Sequence, residues 1–549
     1  MERGVINKNM HYFLLLLISV IALLFRYPNT IHLLGSDAHF YCFLANSINQ
    51  FGQAKWLIHP ASYFGQYPFS DNAGYALFLS TVSQMGGVSV ELSVLVITLF
   101  ISVLGILVAF LFFRELMARP FFTLIGTFAF AMMPATISYS SWTITSRIFV
   151  VYLTPFLFFL LLRTPERSGR KYLALSLGVL VLLFLFHKMA YFILPVFLIY
   201  FISQKVGKIS YMLPSAVSNY RKIWVPALFI VSFLVGVLPI TNYDTSYEQG
   251  FLTGNGPVIT LLNAVISLAG STNVILLLSF FGLLFLLSRK ERTAKQLFII
   301  TSIVLILPIL QLRTYARPVV SLFLLILGIY GIYWFQLKLS RKKATAFILS
   351  FALVSLCFTG IMLAHWDSNP FGSDGAATPE MFSAITYSRE IATPSSSFIS
   401  NYWADGRLFQ SYIGSPCLPS QAGLEKASYL IYGYVSQNEI KQNTIPISIT
   451  DLGEYIHSQG PFSAPEMMSY YYNEIGPLLK TDASAVTSQR MMEKYNTSFI
   501  LVNKEYPDSY KGRWADRPKP SPFFTSLATE NYRVFDSAEY EMYYPMPYK

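Results

Sequence analysis

The chain has 549 residues, of which 54% are hydrophobic and 13% are charged, and its mean hydropathy is +0.47. This composition is too apolar for a soluble chain of such length and predicts a membrane protein. The basic excess behind the net charge of +11 lies before Ala364, in the apolar part, so the charge does not indicate a nucleic-acid partner. Three cysteines are too few and too scattered for a disulfide framework or a four-ligand zinc site.

Eleven apolar stretches are candidates for membrane-spanning helices, because a hydrocarbon core of roughly 30 Å needs about 20 apolar residues. The first follows Arg3 and Lys8 without a small-residue cleavage site, so we expect an uncleaved anchor rather than a removed signal. The predicted spans are 10–27, 91–113, 120–138, 148–162, 172–187, 190–203, 223–240, 272–288, 296–312, 319–337 and 345–363.

Lys and Arg recur in every second loop between these stretches. Because cytoplasmic loops collect basic residues, this pattern predicts a multi-pass integral membrane protein with a cytoplasmic N-terminus. An odd number of spans then places the C-terminal part outside. After His365 the apolar runs shorten, and candidate strands at 396–400 and 497–503 alternate with helical stretches. We therefore predict an α-helical polytopic membrane domain, 1–364, followed by an extracytoplasmic mixed α/β domain, 365–549.

Asp37 is the first acidic residue on the predicted outer side, directly after the first span. His39 follows two residues later, and an oxygen with an imidazole is half of a divalent-metal site. An aspartate at the start of a helix can instead act as an N-cap. The sequence leaves both interpretations open.

Asp244 and Glu248 lie four residues apart in a polar, Gly-rich outer loop between the seventh and eighth spans. This spacing places both carboxylates on one face if the segment is helical. The loop composition favours a solvated loop without a functional role for the pair.

Some basic residues depart from the positive-inside pattern, and among them Arg147, Arg313 and Arg317 lie at outer ends of predicted spans. A guanidinium at headgroup level can bind a lipid phosphate through its planar fork, or it can snorkel to any headgroup. Arg313 and Arg317 are one helical turn apart and repel each other unless an anion lies between them, which favours a phosphate site.

This layout resembles the GT-C superfamily of membrane glycosyltransferases, and among them the catalytic oligosaccharyltransferase subunits. Asp37 resembles the metal-binding aspartate of the first outer loop in that family. Glu248, in S-Y-E-Q, is similar in position to the fifth-loop glutamate that engages the acceptor amide. Arg313, in Q-L-R-T-Y-A-R-P, matches the arginine that contacts the lipid phosphate.

The segment Y-W-A-D-G is similar to the W-W-D-Y-G acceptor-binding motif of that family, with matches at Trp403 and Gly406 and the aspartate displaced to Asp405. The resemblance also implies a divalent cation, Mg²⁺ or Mn²⁺, and we expect Asp37 and His39 to hold it with help from Asp244 or Glu248. The family's second outer loop carries further acidic ligands, whereas residues 138–149 contain no carboxylate. Whether the protein needs a metal, and whether its acceptor is an asparagine, therefore both stay open.

Together these features predict a membrane glycosyltransferase with a polyprenyl-phosphate or diphosphate sugar donor and a protein or glycan acceptor at the outer face of the bilayer. Asp37, aided by Glu248 or Asp244, is the expected catalytic carboxylate, and Arg313, with Arg317 or Arg147, is expected to bind the donor phosphate. The alternative is a transporter or lipid-linked-sugar flippase. Such proteins place ionisable residues near the bilayer midplane, whereas here the charges fall at span ends, which favours the enzyme.

Overall fold

The chain forms two compact units in the computed structural model. The first unit comprises residues 1–29 and 96–366, and the second comprises 30–95 and 367–549. Residues 30–95, which the sequence assigned to the membrane domain, thus belong with the C-terminal part. The structure describes residues 8–28, 30, 32–58, 60–65, 72–117, 119–141, 145–165, 169–210, 257–289, 293–306, 313–338, 342–364, 378–393, 395–418, 431, 433, 476–510, 519–527 and 533–545.

Helices account for nearly all of the described residues before Ala364, and 3-10 helices add Pro60–Tyr63 and Lys188–Phe192. The α-helices are α1 (Lys8–Leu24), α2 (Ser36–Phe51), α3 (Gly74–Gly86), α4 (Val90–Leu116), α5 (Pro120–Met132), α6 (Pro134–Ser138), α7 (Arg147–Arg163), α8 (Gly169–Phe186), α9 (Ile193–Ser210), α10 (Pro257–Thr272), α11 (Ile275–Ser288), α12 (Ala294–Ile306), α13 (Arg313–Lys338) and α14 (Lys342–Ala364).

Among the described residues, three helical segments are long and apolar enough to cross a membrane: Val90–Leu116, Gly169–Phe186 and Pro318–Lys338. A fourth candidate is the pair Val265–Thr272 and Ile275–Ser288, whose axes bend by 103° at the break. The remaining predicted spans fall on helices that do not meet these length and hydropathy conditions over their described residues, except 223–240, which lies outside the described residues.

One predicted span is interrupted, and another begins at a helix break. The span 120–138 breaks between α5 and α6, where Met133 is extended because a following proline disfavours the helical conformation. The span 272–288 begins where α10 ends, at the break formed by Asn273, which has φ of 55°, a left-handed value that asparagine tolerates better than most residues. The Asn273 amide donates to the carbonyl of Ser355 at 3.1 Å and accepts from its hydroxyl at 3.0 Å, so polar groups at this break are satisfied within the protein.

Helices α11 and α13 approach each other closely because glycines line their contact. A Cβ atom added at Gly282 would overlap the carbonyl oxygen of Leu327, and one added at Gly331 would overlap that of Leu278. Small residues at such positions let helix backbones pack at short distance, as in membrane helix pairs.

Charged side chains join three helix ends of the first unit. Glu115, near the end of α4, forms ion pairs of 2.7 Å with Arg163 at the end of α7 and with Lys295 at the start of α12. All three residues lie in loops, or at helix ends, that the basic-loop pattern assigns to the inner side. Their proximity agrees with the prediction that these loops lie on one side of the membrane. Which side faces the cytoplasm stays a prediction.

Arg26 is a buried arginine that joins other helix ends of the first unit. Its Nη1 and Nη2 donate to the carbonyls of Ala22 in α1 and Ala131 in α5, at 2.9 and 2.8 Å. Its Nε lies 2.8 Å from the hydroxyl of Ser140 and 3.1 Å from that of Tyr152. The guanidinium thereby supplies donors to carbonyls at the C-terminal ends of two helices, where helical N–H partners are lacking.

The second unit contains a five-stranded mixed sheet with the order β2-β1-β3-β7-β6. Strand β1 is parallel to β2 and β3, whereas β7 is antiparallel to β3 and β6. The strands predicted at 396–400 and 497–503 are β1 and β3. The elements are α15 (Pro379–Ile391), β1 (Ser397–Ser400), α16 (Trp403–Ile413), β2 (Cys417–Leu418), a helical turn at Gly476–Leu478, α17 (Val486–Lys494), β3 (Thr497–Asn503), β4 (Ser509–Tyr510), β5 (Lys519–Pro520), α18 (Pro522–Leu527), β6 (Arg533–Asp536) and β7 (Tyr540–Tyr543).

The core of the second unit lies between this sheet and helices α15 and α16. Phe398 of β1 stacks on Phe499 of β3 with ring centroids 4.9 Å apart, and Phe409 of α16 packs against Phe398. Helix α2, from the segment 30–95, packs against α16 on the helix side of this core. That packing positions the first-loop residues predicted to be functional beside the C-terminal domain.

Candidate functional site

Asp37 lies in the first turn of α2, but it is not the N-cap. The N-cap is Gly35, whose φ of 88° is in the region that favours glycine, and it has no side chain to cap the helix. A carboxylate in the first turn is still stabilised by the positive end of the helix dipole. The N-cap interpretation of Asp37 was therefore wrong in position, and its side chain is directed to another partner.

That partner is Arg407 of α16, whose Nη1 donates to Asp37 Oδ1 at 2.8 Å. The side chain of Arg407 is 1% exposed and that of Asp37 is 18% exposed. The guanidinium lies 5.6 Å from the ring centre of Phe40 and 5.2 Å from that of Trp403, both cation-π distances. A buried arginine, held between two aromatic rings, thus fixes one oxygen of a partly exposed carboxylate.

His39 lies two residues further along α2 and is fully buried. Its Nε2 is 3.1 Å from the carbonyl oxygen of Leu33 and its Nδ1 is 3.2 Å from the hydroxyl oxygen of Ser411. Burial lowers the pKa of the imidazole to about 4, so the ring is neutral at physiological pH. Its contacts tie α2 to α16.

A second polar cluster of the second unit centres on Glu91, in the first turn of α4. Its Oε1 accepts from the Leu33 backbone N–H at 2.9 Å and from the Tyr412 hydroxyl at 3.0 Å, and it lies 3.3 Å from Nδ1 of His32. Burial and the nearby Glu91 raise the pKa of Tyr412 well above its usual range, so the phenol stays a donor. This cluster joins the two ends of the segment 30–95 to α16.

Trp403, Asp405 and Gly406, the predicted acceptor-binding residues, are all buried in the first turn of α16. Asp405 accepts from the side-chain amide of Asn503 at 2.7 Å, and burial raises the pKa of its carboxyl to about 7. A Cβ at Gly406 would lie 2.6 Å from Sγ of Cys417, so this position requires glycine for the packing of α16 on β2. These contacts explain Asp405 and Gly406 by packing, and an acceptor role for the three residues stays a prediction.

Comparison with solved structures relates this architecture to known proteins, although no protein-family profile and no curated protein matches the sequence. The Archaeoglobus fulgidus oligosaccharyltransferase AglB, solved with an inhibitory peptide and a dolichol-phosphate, is 13% identical with a TM-score of 0.56, covering 91% of this chain and 70% of that chain. ArnT from Cupriavidus metallidurans, bound to undecaprenyl phosphate, is 11% identical with a TM-score of 0.51, covering 98% of both chains. The chain has the GT-C fold.

The divalent cation implied by the GT-C resemblance was tested against the residues at Asp37. Asp37 Oδ1 is bonded to a guanidinium, and both ring nitrogens of His39 lie in hydrogen bonds. Within the described ranges, His, Cys, Asp and Glu side chains form no group of three or more that could hold a metal ion. Another structure of the A. fulgidus enzyme, 14% identical with a TM-score of 0.54 over 90% of this chain and 68% of that chain, contains Zn and sulfate. Asp37 and His39 are thus engaged in contacts that do not fit a shared metal ion, and the other expected ligands, Asp244 and Glu248, lie outside the described residues.

The structure describes the remaining predicted site residues only in part. Helix α13 begins at Arg313 and contains Arg317 one turn later, as the spacing predicted, but their side chains lie outside what the structure describes. Arg147 is the first residue of α7 and is half-buried. Asp244 and Glu248 lie outside the described residues.

Arg407 is the residue of the candidate site that sequence reasoning missed. It follows Trp403 by four residues, so a helix starting at Trp403 places the two side chains on one face, and this spacing was a usable signal. Its pairing with Asp37, 370 residues away, had no signal in the sequence.

Proposed function

We propose that the chain is a multi-pass membrane glycosyltransferase that transfers a sugar or oligosaccharide from a polyprenyl-phosphate or diphosphate carrier to an acceptor at the outer face. The observation that carries this proposal is the GT-C fold over nearly the whole chain, shared with ArnT bound to undecaprenyl phosphate. Since a fold does not fix a function, the proposal also needs a reactive group, and Asp37 is a partly exposed carboxylate in the loop where the family resemblance expects one.

Transfer with inversion is a single displacement at the anomeric carbon. The acceptor oxygen or nitrogen forms the new bond as the bond to the carrier phosphate breaks, and the acceptor proton passes to a carboxylate. In this proposal Asp37 takes that proton, aided by Glu248 or Asp244. Arg313, with Arg317 or Arg147, neutralises the charge that develops on the departing phosphate.

The acceptor is either a protein asparagine or another lipid or glycan. A peptide acceptor is supported by the AglB structure with an inhibitory peptide, in which case residues near Trp403, Asp405 and Gly406 contact it. A lipid or glycan acceptor agrees better with the displaced aspartate in Y-W-A-D-G and with the buried Asp405. In both cases we propose eleven spans, a cytoplasmic N-terminus and an extracytoplasmic C-terminal domain.

The test is transfer from a radiolabelled polyprenyl-linked sugar in membranes that contain the protein. We expect turnover with the wild type and a loss of about a hundredfold or more with Asp37→Asn, since asparagine cannot accept the proton. Asp508→Asn, which changes an exposed carboxylate of the same unit, is the matched control and is expected to be fully active. Movement of the labelled lipid across the bilayer without bond cleavage would instead establish the flippase alternative.

A further inference from the structure

We propose that Arg407 is a positioning residue that pairs with the Asp37 carboxylate and orients it. The chain itself then supplies at this site the positive charge for which a divalent cation was expected. This inference rests on the proposed function and goes beyond it, because it assigns a role to a residue of the C-terminal domain and predicts transfer without a metal at Asp37.

The geometry of Arg407 is that of a fixed cation. Its side chain is 1% exposed, lies over the rings of Phe40 and Trp403, and bonds Asp37 at 2.8 Å. An arginine cannot deprotonate in a protein, so its charge persists at every pH at which the protein is folded. A buried charge must be paired, and the Asp37 carboxylate provides that pairing. Asp37 is therefore held in one orientation while part of its surface stays exposed.

Among the described residues, the donors at Asp37 do not favour a divalent cation. One carboxylate oxygen is engaged by the guanidinium, and His39, the other expected ligand, uses both ring nitrogens in hydrogen bonds. A cation at Asp37 would also stand close to the fixed positive charge of Arg407 and be repelled by it. Ligands from residues 138–149 are not expected either, because that segment contains no carboxylate.

Substitution of Arg407 tests its positioning role through kinetics. Arg407→Met removes the charge and keeps most of the side-chain volume, and we expect kcat to fall about a hundredfold or more while KM for the polyprenyl-linked donor changes little. Arg407→Lys retains the charge without the planar fork and should recover part of kcat. Arg389→Met, which alters an exposed arginine bonded to the Tyr412 carbonyl, is the matched control and should keep wild-type kinetics. Wild-type kcat in a folded Arg407→Met variant would overturn the inference.

Metal independence is tested on the wild-type protein, so this arm does not depend on whether the Arg407 variants fold. We expect turnover to change less than about twofold after EDTA treatment and removal of divalent ions. Electron paramagnetic resonance with Mn²⁺ should detect the same binding in the wild type and in Asp37→Asn. A bound Mn²⁺ that Asp37→Asn loses, or activity that EDTA abolishes and Mn²⁺ restores, would overturn the inference. If no sugar transfer is found while the two proteins bind Mn²⁺ equally, the proposed function fails and the metal-free pair of Asp37 and Arg407 stands.

Discussion

Asp405 lies in the interior of the second unit beside Asn503 and Tyr540, and its burial raises the pKa of the carboxyl to about 7. In the unfolded chain the same group has an ordinary pKa near 4. At pH values between these two pKa values, the Asp405 carboxyl keeps its proton in the folded protein and releases it in the unfolded chain. Stability contributed by this group is therefore present at low pH and is lost as pH rises from about 4 to 7.

Replacing Asp405 by asparagine should remove this pH dependence, because the amide is neutral at every pH and can still bond Asn503. We expect Asp405→Asn to melt at a higher temperature than the wild type at pH 8 and at a similar temperature at pH 5. Each tenfold difference in proton affinity between the folded and unfolded chain corresponds to about 1.4 kcal/mol of stability. Thermal unfolding of the detergent-solubilised protein at both pH values is the measurement. A variant with the wild-type pH dependence would contradict the assignment, and Asp508→Asn is the exposed control.

Arg313 is the residue on which binding of the carrier phosphate is proposed to depend most. Arg313→Lys keeps the charge and loses the bidentate fork, so it should weaken donor binding, and Arg313→Ala should weaken it further, by about 1.5 to 3 kcal/mol. Arg317→Ala is expected to have a smaller effect. Binding of a labelled polyprenyl phosphate to purified variants is the measurement, and an unchanged affinity in Arg313→Ala would favour the snorkelling interpretation.

At the level of elements, two features of the backbone matter in the first unit: the close contact between two helices and the breaks between consecutive helices. Helices α11 and α13 meet at glycines, whereas α10 and α11 are separated by a left-handed asparagine and α5 and α6 by an extended methionine that precedes a proline. The break at Met133 does not follow from hydropathy, because apolar residues lie on both sides of it, whereas the break at Asn273 follows the polar residues Ser271 and Thr272.

The contact between α11 and α13 can be tested with alanine. Gly282→Ala and Gly331→Ala each place a methyl group against a carbonyl of the partner helix, and we expect a loss of about 1 to 3 kcal/mol in stability from overpacking. Gly178→Ala is the matched control, because a Cβ at this α8 position meets no atom within 4 Å. In an open helical position alanine is favoured over glycine by about 0.5 to 1 kcal/mol, so Gly178→Ala should be neutral or stabilising. Equal melting temperatures for all three variants would refute the close contact.

At the level of the whole molecule, the segment 30–95 joins the C-terminal part in one unit although an apolar stretch follows it in the chain. Asp37 on α2 and Arg407 on α16 come together only because these two segments fold as one body. The C-terminal domain therefore contributes a residue, Arg407, directly to the candidate site.

The proposed topology predicts which loops an impermeant thiol reagent reaches in intact cells. Single cysteines replacing Arg292 and Lys342 should be protected, since the positive-inside pattern assigns both to the cytoplasm. Cysteines replacing Gly254 and Gln437 should react, and permeabilisation should make all four reactive. Reaction of a cysteine at position 342 from outside the cell would disprove the eleven-span arrangement. The native cysteines, Cys42, Cys357 and Cys417, are replaced by serine in the parent protein.

Hydropathy and loop charge are local properties of the chain, so the amino-acid sequence alone could predict a membrane protein. Helices lie at ten of the eleven expected spans. The GT-C fold confirms the resemblance that the sequence motifs indicated. The pattern of short strands likewise predicted β1 and β3. The helix break at Met133 was missed, since it depends on backbone conformation rather than on apolar character, and helix α10, before the break at Asn273, was not among the expected spans.

The surroundings of Asp37, in contrast, depend on tertiary packing. The sequence identified Asp37 and offered His39 as its companion, because the two are neighbours in the chain. In the fold, residues two apart on a helix point in different directions, so His39 turns into the interior and Asp37 meets Arg407 from 370 residues away. Such a pairing results from the packing of α2 on α16, which no local pattern encodes. Asp405 is likewise buried by tertiary packing, beside Asn503 of β3 and Tyr540 of β7, and this burial raises its pKa.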